Sequence, residues 1–142
     1  MSDYISRYLL EVQEIAKKID KNQIEKIIER LVRLKKEKGR IFFIGVGGSA
    51  GNCSHAVNDF RKICEIECYT PLDNVSELTA RINDDGWNSS LTNWLKTSKL
   101  NSKDAIFVFS VGGGDLKKKV SLNLVDSIKY AKSKKIQIFG IV

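Results

Sequence analysis

The sequence is poor in the residues that define several protein classes. It holds one proline, one histidine, one methionine and three cysteines among 142 residues. A single proline excludes proline-rich disorder and a collagen-like chain. Three cysteines are an odd number and lack the spacing of paired metal ligands, which argues against a disulfide framework. We therefore expect Cys53, Cys64 and Cys68 to be reduced thiols.

Long apolar runs and a targeting signal are also missing. The longest apolar run covers residues 41–46 and is far too short to cross a membrane. The N-terminus, Met1-Ser2-Asp3-Tyr4, lacks the basic and then apolar segments of a signal peptide. These absences predict a cytoplasmic protein with no membrane partner.

The remaining composition is that of an ordinary globular domain with an excess of basic residues. Hydrophobic residues make up 42% of the chain, charged residues 29%, and the net charge is +7. The lysines cluster at the ends of predicted helices, and no aromatic residues lie between them. This arrangement favours solvated helix ends and disfavours nucleic acid as a partner.

The first forty residues predict two amphipathic helices. Apolar residues recur at helical spacing through residues 5–19 and again through residues 24–34. Asp20 and Gln23 have the spacing of a capping box for the second helix, and Gly39 is the expected C-terminal cap. Such a pair must pack on the body of the domain or on a partner subunit.

From residue 40 onward, predicted strands alternate with predicted helices. The strands cover residues 40–45, 65–69, 105–109 and 136–142, and the helices cover 49–63, 74–82, 88–97 and 115–134. This alternation predicts an α/β fold, with a doubly wound parallel sheet flanked by helices. We expect one domain, with a helical pair at 1–39 and an α/β body at 40–142. The chain ends on a buried type of strand with no covering helix, so we expect the body to be incomplete, truncated at its C-terminus.

The first candidate site is the turn Gly45-Val46-Gly47-Gly48-Ser49, between a predicted strand and helix. Glycines there allow a ligand to approach the backbone, and the helix N-terminus offers N–H groups to an anion. A tight turn with Ser49 as N-cap is the simpler interpretation. The pattern Gly45-x-Gly47-x-x-Ala50, with Glu67 downstream, also fits a dinucleotide-binding domain.

A second glycine-rich turn, Ser110-Val111-Gly112-Gly113-Gly114-Asp115, follows another predicted strand. Two such turns after parallel strands can face one crevice, which is more informative than either turn alone. Asp115 is the expected N-cap of the long helix that follows.

His55 and Asp59 lie four residues apart, and therefore on one face of the first crossover helix. An imidazole and a carboxylate so placed can bind a divalent metal or act as an acid–base pair; a surface ion pair is the simpler alternative. Asn83-Asp84 belongs to a segment predicted as a polar turn between two short helices.

Together, these segments resemble the sugar isomerase (SIS) superfamily, and within it the phosphoheptose isomerases. The most specific parts are Gly47-Gly48-Ser49 followed by His55, the Asn83-Asp84 pair, and Ser110 at the start of the second loop. The resemblance covers the whole chain and implies a flavodoxin-like fold of SIS type. It also implies interconversion of sedoheptulose 7-phosphate and D-glycero-D-manno-heptose 7-phosphate, for cell-surface polysaccharide precursors such as lipopolysaccharide or capsule.

The resemblance also implies roles for individual residues. His55 becomes a ligand of zinc or another divalent metal, and Asp59 takes the place of a glutamate that serves as ligand and base. The expected substrate-binding residues are Gly47, Gly48, Ser49, Asn83, Asp84, Ser110 and Gly112. The family's further ligands, a glutamine and a histidine, would lie after Val142, and the family works as a homotetramer.

Three departures from the family pattern keep other functions open. Val46 stands where the family usually has asparagine, Asp59 is one methylene shorter than glutamate, and Gly112 and Asp115 replace serines. One alternative is a sugar-phosphate-binding SIS module without catalytic activity. A second alternative is an NAD-binding domain.

Overall fold

The computed structural model describes residues 2–142, and its contacts divide the chain into two units. One unit ends at Leu31, and the other runs from Val32 to Val142. The chain begins with two helices, α1 (Ser2–Lys18) and α2 (Lys21–Lys36), as the periodicity predicts. The Asp20 carboxylate accepts a hydrogen bond from the Gln23 N–H at 3.2 Å, which is one half of the expected capping box.

Within residues 2–142 no helix combines the length and the apolar character that a membrane span requires.

The second unit is built on a four-stranded parallel sheet with the strand order β2-β1-β3-β4. Its strands are β1 (Ile41–Ile44), β2 (Cys68–Tyr69), β3 (Ala105–Phe109) and β4 (Gln137–Ile141). The connecting helices are α3 (Gly48–Lys62), α4 (Val75–Asp85), α5 (Trp87–Thr97) and α6 (Leu122–Ser133). The predicted α/β class and the parallel sheet are therefore confirmed.

The pairing of β1 with β3 positions both glycine-rich turns. The two strands are parallel and in register from Ile41 opposite Ala105 to Ile44 opposite Val108. Because parallel strands end at the same edge of a sheet, the turns after β1 and β3 are neighbours at the carboxyl edge. This confirms the prediction that the two turns share one edge.

Apolar side chains cover both faces of the sheet, because consecutive strand residues point to opposite sides. On one face, the Phe43 ring stacks on Phe107 and contacts Phe60 of α3. On the other face, Phe42 and Ile44 belong to a buried cluster to which α5 and α6 contribute. A doubly wound arrangement follows, with α3 on one side and α5 and α6 on the other.

At the opposite edge, one buried ion pair joins the segments that lead into β1 and β3. Asp104 is 3% exposed, and its carboxylate accepts hydrogen bonds from the Arg40 backbone N–H and guanidinium. The Asn101 N–H and side-chain amide donate to the same carboxylate. A buried charge with this many donors is satisfied, so the pair fixes the amino ends of both strands.

Two predicted helix boundaries are wrong, one at the end of α4 and one at the start of α6. Helix α4 continues to Asp85, so Asn83-Asp84 lies in its last turn, and the chain reverses at Gly86 with φ of 80°. Helix α6 begins at Leu122. Asp115 instead accepts the N–H groups of Lys117 and Lys118, and a bridge joins Asp115 to Val120. Asp115 thus caps its own turn and not the long helix.

The expected cap at Gly39 is also placed differently. Lys38 takes the left-handed conformation with φ of 54°, and the Gly39 N–H bonds to the Leu34 carbonyl. A Cβ at Gly39 would lie 2.0 Å from the Lys103 carbonyl oxygen. Gly39 is therefore required by the close approach of the segment before β3, and not by its own backbone angles.

We predict opposite effects for two glycine-to-alanine substitutions. Gly39→Ala should lower the free energy of unfolding by about 2 kcal/mol or more, because backbone must move to admit the methyl group. Gly51→Ala lies inside α3 with open space around it, so it should be neutral or raise stability by up to about 1 kcal/mol. Urea unfolding of both variants measures the difference; equal stabilities would contradict it.

Candidate functional site

The first turn presents free backbone donors at the carboxyl edge. Gly47 has φ of 62° and is the N-cap of α3, so Ser49 lies inside the helix and is not its cap. The first N–H groups of α3, at Gly48 and Ser49, have no partner within the helix. A Cβ at Gly47 or Gly48 would meet nothing within 4 Å, so the backbone here is open to a ligand. The geometry suits an anion.

A packed layer supports this turn from behind. A Cβ at Gly45 would lie 2.7 Å from the Ser49 carbonyl oxygen and 3.0 Å from the Cys53 sulfur. Cys53 is fully buried, and burial raises the pKa of its thiol to about 12. Cys53 is therefore a packing residue, and Gly45 allows strand and helix to come close.

The side chain of Ser110 stabilises the second turn by a hydrogen bond within it. The Ser110 hydroxyl accepts the Gly113 N–H at 3.0 Å, and the Ser110 N–H donates to the Ile141 carbonyl. Gly113 and Gly114 both have positive φ, at 67° and 85°, while Gly112 is exposed. Successive glycines of this kind orient backbone N–H groups toward an anion.

One serine at this edge escaped the sequence analysis. Ser121 is the N-cap of α6, with φ of 49°, and its side chain forms no capping bond. Its carbonyl lies 3.4 Å from a Cβ built at Gly114, so Ser121 borders the second turn. The signal was present as a serine before an apolar helical repeat, but Asp115 offered an earlier apparent cap.

His55 and Asp59 form the expected pair on one face of α3. The Nε2 atom of His55 lies 3.2 Å from the Oδ2 atom of Asp59, and the two side chains are 77% and 42% exposed. The imidazole thus faces solvent in the single chain. His55 can therefore orient the Asp59 carboxylate, and an oriented carboxylate can act as a general base.

The donors for a metal are incomplete within the described residues. His55 and Asp59 supply one nitrogen and one carboxylate, whereas zinc takes three or four protein ligands. Residues 2–142 contain no group of three or more histidine, cysteine, aspartate or glutamate side chains that could hold an ion. This chain's described residues alone therefore do not complete a metal site.

Two other sequence candidates lie apart from the turns. The Asn83 amide donates to the Asp84 carboxylate at 2.8 Å, and no hydrogen bond within residues 2–142 joins either side chain to a glycine-rich turn. Glu67 precedes β2 and therefore lies at the amino edge, opposite the Gly45–Gly48 segment. A ribose-binding acid belongs at the carboxyl edge, so this geometry does not support a dinucleotide site.

Comparison with known proteins gives a match in structure and none in sequence. No protein-family model matches the chain, and no curated protein is similar to it. The fold is similar to that of phosphoheptose isomerase GmhA from Neisseria gonorrhoeae, with a TM-score of 0.82, 19% identity, and coverage of 98% of this chain and 71% of that chain. A phosphoheptose isomerase from Francisella tularensis has the same TM-score, 15% identity, and coverage of 98% and 70%. The chain therefore has the fold of these proteins.

We predict that thiol labelling separates the three cysteines. Cys64 is exposed, while burial raises the pKa of Cys53 to about 12 and that of Cys68 to about 11. At pH 8 iodoacetamide should modify Cys64 rapidly and the buried pair only after unfolding, because the thiolate is the reactive form. Peptide mass spectrometry measures the rates; fast labelling of native Cys53 would contradict the packing behind the first turn.

Proposed function

We propose that this protein is a sugar-phosphate isomerase that interconverts sedoheptulose 7-phosphate and the corresponding aldose phosphate. The observation that carries the proposal is the placement of two glycine-rich turns on neighbouring strands, with His55 and Asp59 on the helix after the first turn. The fold shared with two phosphoheptose isomerases over 98% of the chain supports it. Because Val46, Asp59 and Gly112 differ from the family pattern, the identity of the substrate requires a direct assay.

In this proposal the turns bind the phosphate. The N–H groups at the start of α3, the Ser49 hydroxyl and the N–H groups of Gly112 and Gly114 provide donors without a side-chain cation, while the Gly113 N–H is used by Ser110. Asp115 keeps its negative charge, but its Oδ1 atom accepts the Lys117 and Lys118 N–H groups, which partly offset that charge. Ser121 adds a hydroxyl at the start of α6. This hydroxyl compensates for the serines of the family pattern that Gly112 and Asp115 replace in this chain.

Asp59 is the proposed base. Its carboxylate removes the carbon-bound proton from C1 of the ketose and returns it to C2 of the enediol, while the hydroxyl proton moves from O1 to O2. His55, at 3.2 Å, holds the carboxylate in one orientation. Aspartate is shorter than glutamate, so the substrate must approach α3 closely for this transfer.

We further propose that zinc or another divalent metal binds at His55 and Asp59 when other residues complete its ligands. A bound metal would polarise the sugar carbonyl and stabilise the enediolate. The proposal assigns only these two ligands, because no third histidine, cysteine, aspartate or glutamate completes a group with them among residues 2–142.

We propose a homo-oligomer, with the tetramer of the resembling family as the expected state. Helix α1 exposes apolar side chains along its length, among them Tyr4, Ile5, Tyr8, Leu9 and Ile15. Such a helix needs a covering surface. A second copy could also cover His55 and exclude water from the site.

The three free cysteines favour the reducing cytoplasm as the compartment.

The second candidate function is a sugar-phosphate-binding module without catalysis. His55 is exposed, and His55 and Asp59 alone do not complete a metal site. Both observations favour the binding module, because phosphate binding at the turns requires neither a shielded catalytic pair nor a metal. This candidate and the isomerase differ in whether Asp59 affects turnover.

We predict that the protein with added zinc converts sedoheptulose 7-phosphate to the aldose, and that Asp59→Asn lowers kcat by about 100-fold or more. Coupled assay of the aldose phosphate measures turnover, and His55→Ala should reduce both activity and zinc binding. Asp126→Asn makes the same change on the exposed part of α6 and should keep full activity.

The outcomes separate the two candidates. A rise in melting temperature with the sugar phosphate but no turnover would favour the binding module, since ligand binding stabilises the folded state. Neither binding nor turnover would contradict both.

We also predict that one charge on α1 breaks the oligomer. Leu9→Lys places an ammonium on the exposed apolar side and should shift the sedimentation coefficient to that of a monomer. Glu14→Gln changes the net charge equally on the opposite side of α1, where only surface ion pairs are lost, and should leave the oligomer intact. A monomeric wild-type protein would refute the proposed assembly.

A further inference from the structure

A second concave site lies beside β2, and no residue of either glycine-rich turn lines it. It is a cavity of about 390 Å³ between α3, β2, α4 and α5. Its walls include Arg61, Tyr69, Asp73, Asn74, Glu77 and Trp94. A volume of this size is within the range of small-molecule sites and is large enough for one or two sugar rings.

Aromatic rings form one part of the wall. Tyr69 stacks on Phe42 with ring centroids 6.1 Å apart, and Trp94 meets the same Phe42 ring edge-on at 5.6 Å. Phe42 is fully buried, so it fixes both outer rings. Fixed aromatic surfaces of this kind can pack against the C–H groups of a ligand at low entropic cost.

Polar groups with unused hydrogen-bonding capacity form the rest of the wall. Ser54 donates to Oδ1 of Asp73, and Asn74 uses Oδ1 to cap α4. No hydrogen bond within residues 2–142 uses Asp73 Oδ2, Asn74 Nδ2 or the Trp94 indole N–H. Asp73 and Asn74 are exposed residues of the lining, so together with Trp94 one acceptor and two donors are available to a ligand. Sugar hydroxyl groups both donate and accept hydrogen bonds and can therefore pair with all three.

The charge of the cavity argues against a phosphate. Arg61 is the one cation in the lining, and it donates to the Cys68 carbonyl and lies over the Tyr69 ring at 5.3 Å. Arg81 neutralises one lining carboxylate, Glu77, at 2.7 Å, and the other, Asp73, balances Arg61. The cavity therefore carries no net positive charge to attract a dianion, whereas binding of a neutral polyol requires none.

We propose that this cavity binds a neutral carbohydrate, with Tyr69 and Trp94 packing on the sugar and Asp73 and Asn74 bonding its hydroxyl groups. The lining of this site contains no residue of the glycine-rich turns, and the proposal does not depend on the proposed isomerase activity. Helix α3 connects the two regions, since Ser54 holds Asp73 while the next residue, His55, faces outward.

The two tryptophans of the chain make the test direct. Trp94 lines the cavity, whereas Trp87 is 44% exposed and lies outside it. In a Trp87→Phe background, we expect D-mannose, D-glucose or sedoheptulose to change the Trp94 fluorescence saturably at millimolar concentration. Inorganic phosphate at the same concentration should leave the fluorescence unchanged.

Matched variants locate the binding. Asp73→Ala should raise the Kd by about fivefold or more, since it removes one acceptor. Asp84→Ala removes the same charge from the exposed end of α4 and should leave the Kd unchanged, as should His55→Ala. Tyr69→Ala should also weaken binding, because it removes an aromatic surface from the cavity. The melting temperature of Asp73→Ala shows whether that variant folds, and Tyr69→Ala replaces it in the test if it does not.

Three results would overturn the proposal. They are no saturable change with any of the three sugars, an equal response to phosphate, and a Kd that neither Asp73→Ala nor Tyr69→Ala alters. Each readout is binding, so a protein inactive toward sedoheptulose 7-phosphate can still confirm this site. Conversely, absence of sugar binding at this cavity would leave the result of the turnover assay of Asp59→Asn unaffected.

Discussion

The pairing of β1 with β3 is the constraint on which the candidate site depends. At the amino edge, the buried Asp104 carboxylate joins Arg40 to Asn101, which fixes the start of both strands. Four residues in register then carry that alignment to the carboxyl edge. Because the strands are parallel, the glycine-rich turns emerge side by side, and a shift of one residue would displace one turn from the other by about 3.3 Å.

Helix α3 serves several purposes because its faces differ. Cys53 and Val57 are buried toward the sheet, and Ser54 reaches Asp73 of the β2 cavity. His55 and Asp59 point outward as an exposed pair. A single helix thus connects the first glycine-rich turn, the proposed catalytic pair and the cavity beside β2. Proton transfer at the exposed pair would require protection from water, which is the physical argument for the proposed assembly.

Sequence patterns predicted the regular elements well and their ends less well. The apolar runs before Gly45 and Ser110 predicted β1 and β3, because strands covered on both faces are apolar throughout. Asn83-Asp84 and Asp115 were both misplaced, because short polar residues occur in turns, at helix caps and in the last turn of a helix. At Asp115 the carboxylate closes a turn by accepting the Lys117 and Lys118 N–H groups, so it does not cap α6.

The sequence by itself determined the fold class, the two glycine-rich turns and the i, i+4 spacing of His55 and Asp59, since these follow from local periodicity. Tertiary structure decided which residues meet across the chain. It placed Glu67 at the edge opposite the first turn, brought Ser121 to the second turn, and gathered Tyr69, Asp73 and Trp94 around one cavity. Those residues are separated in sequence, and only strand order and helix packing bring them together.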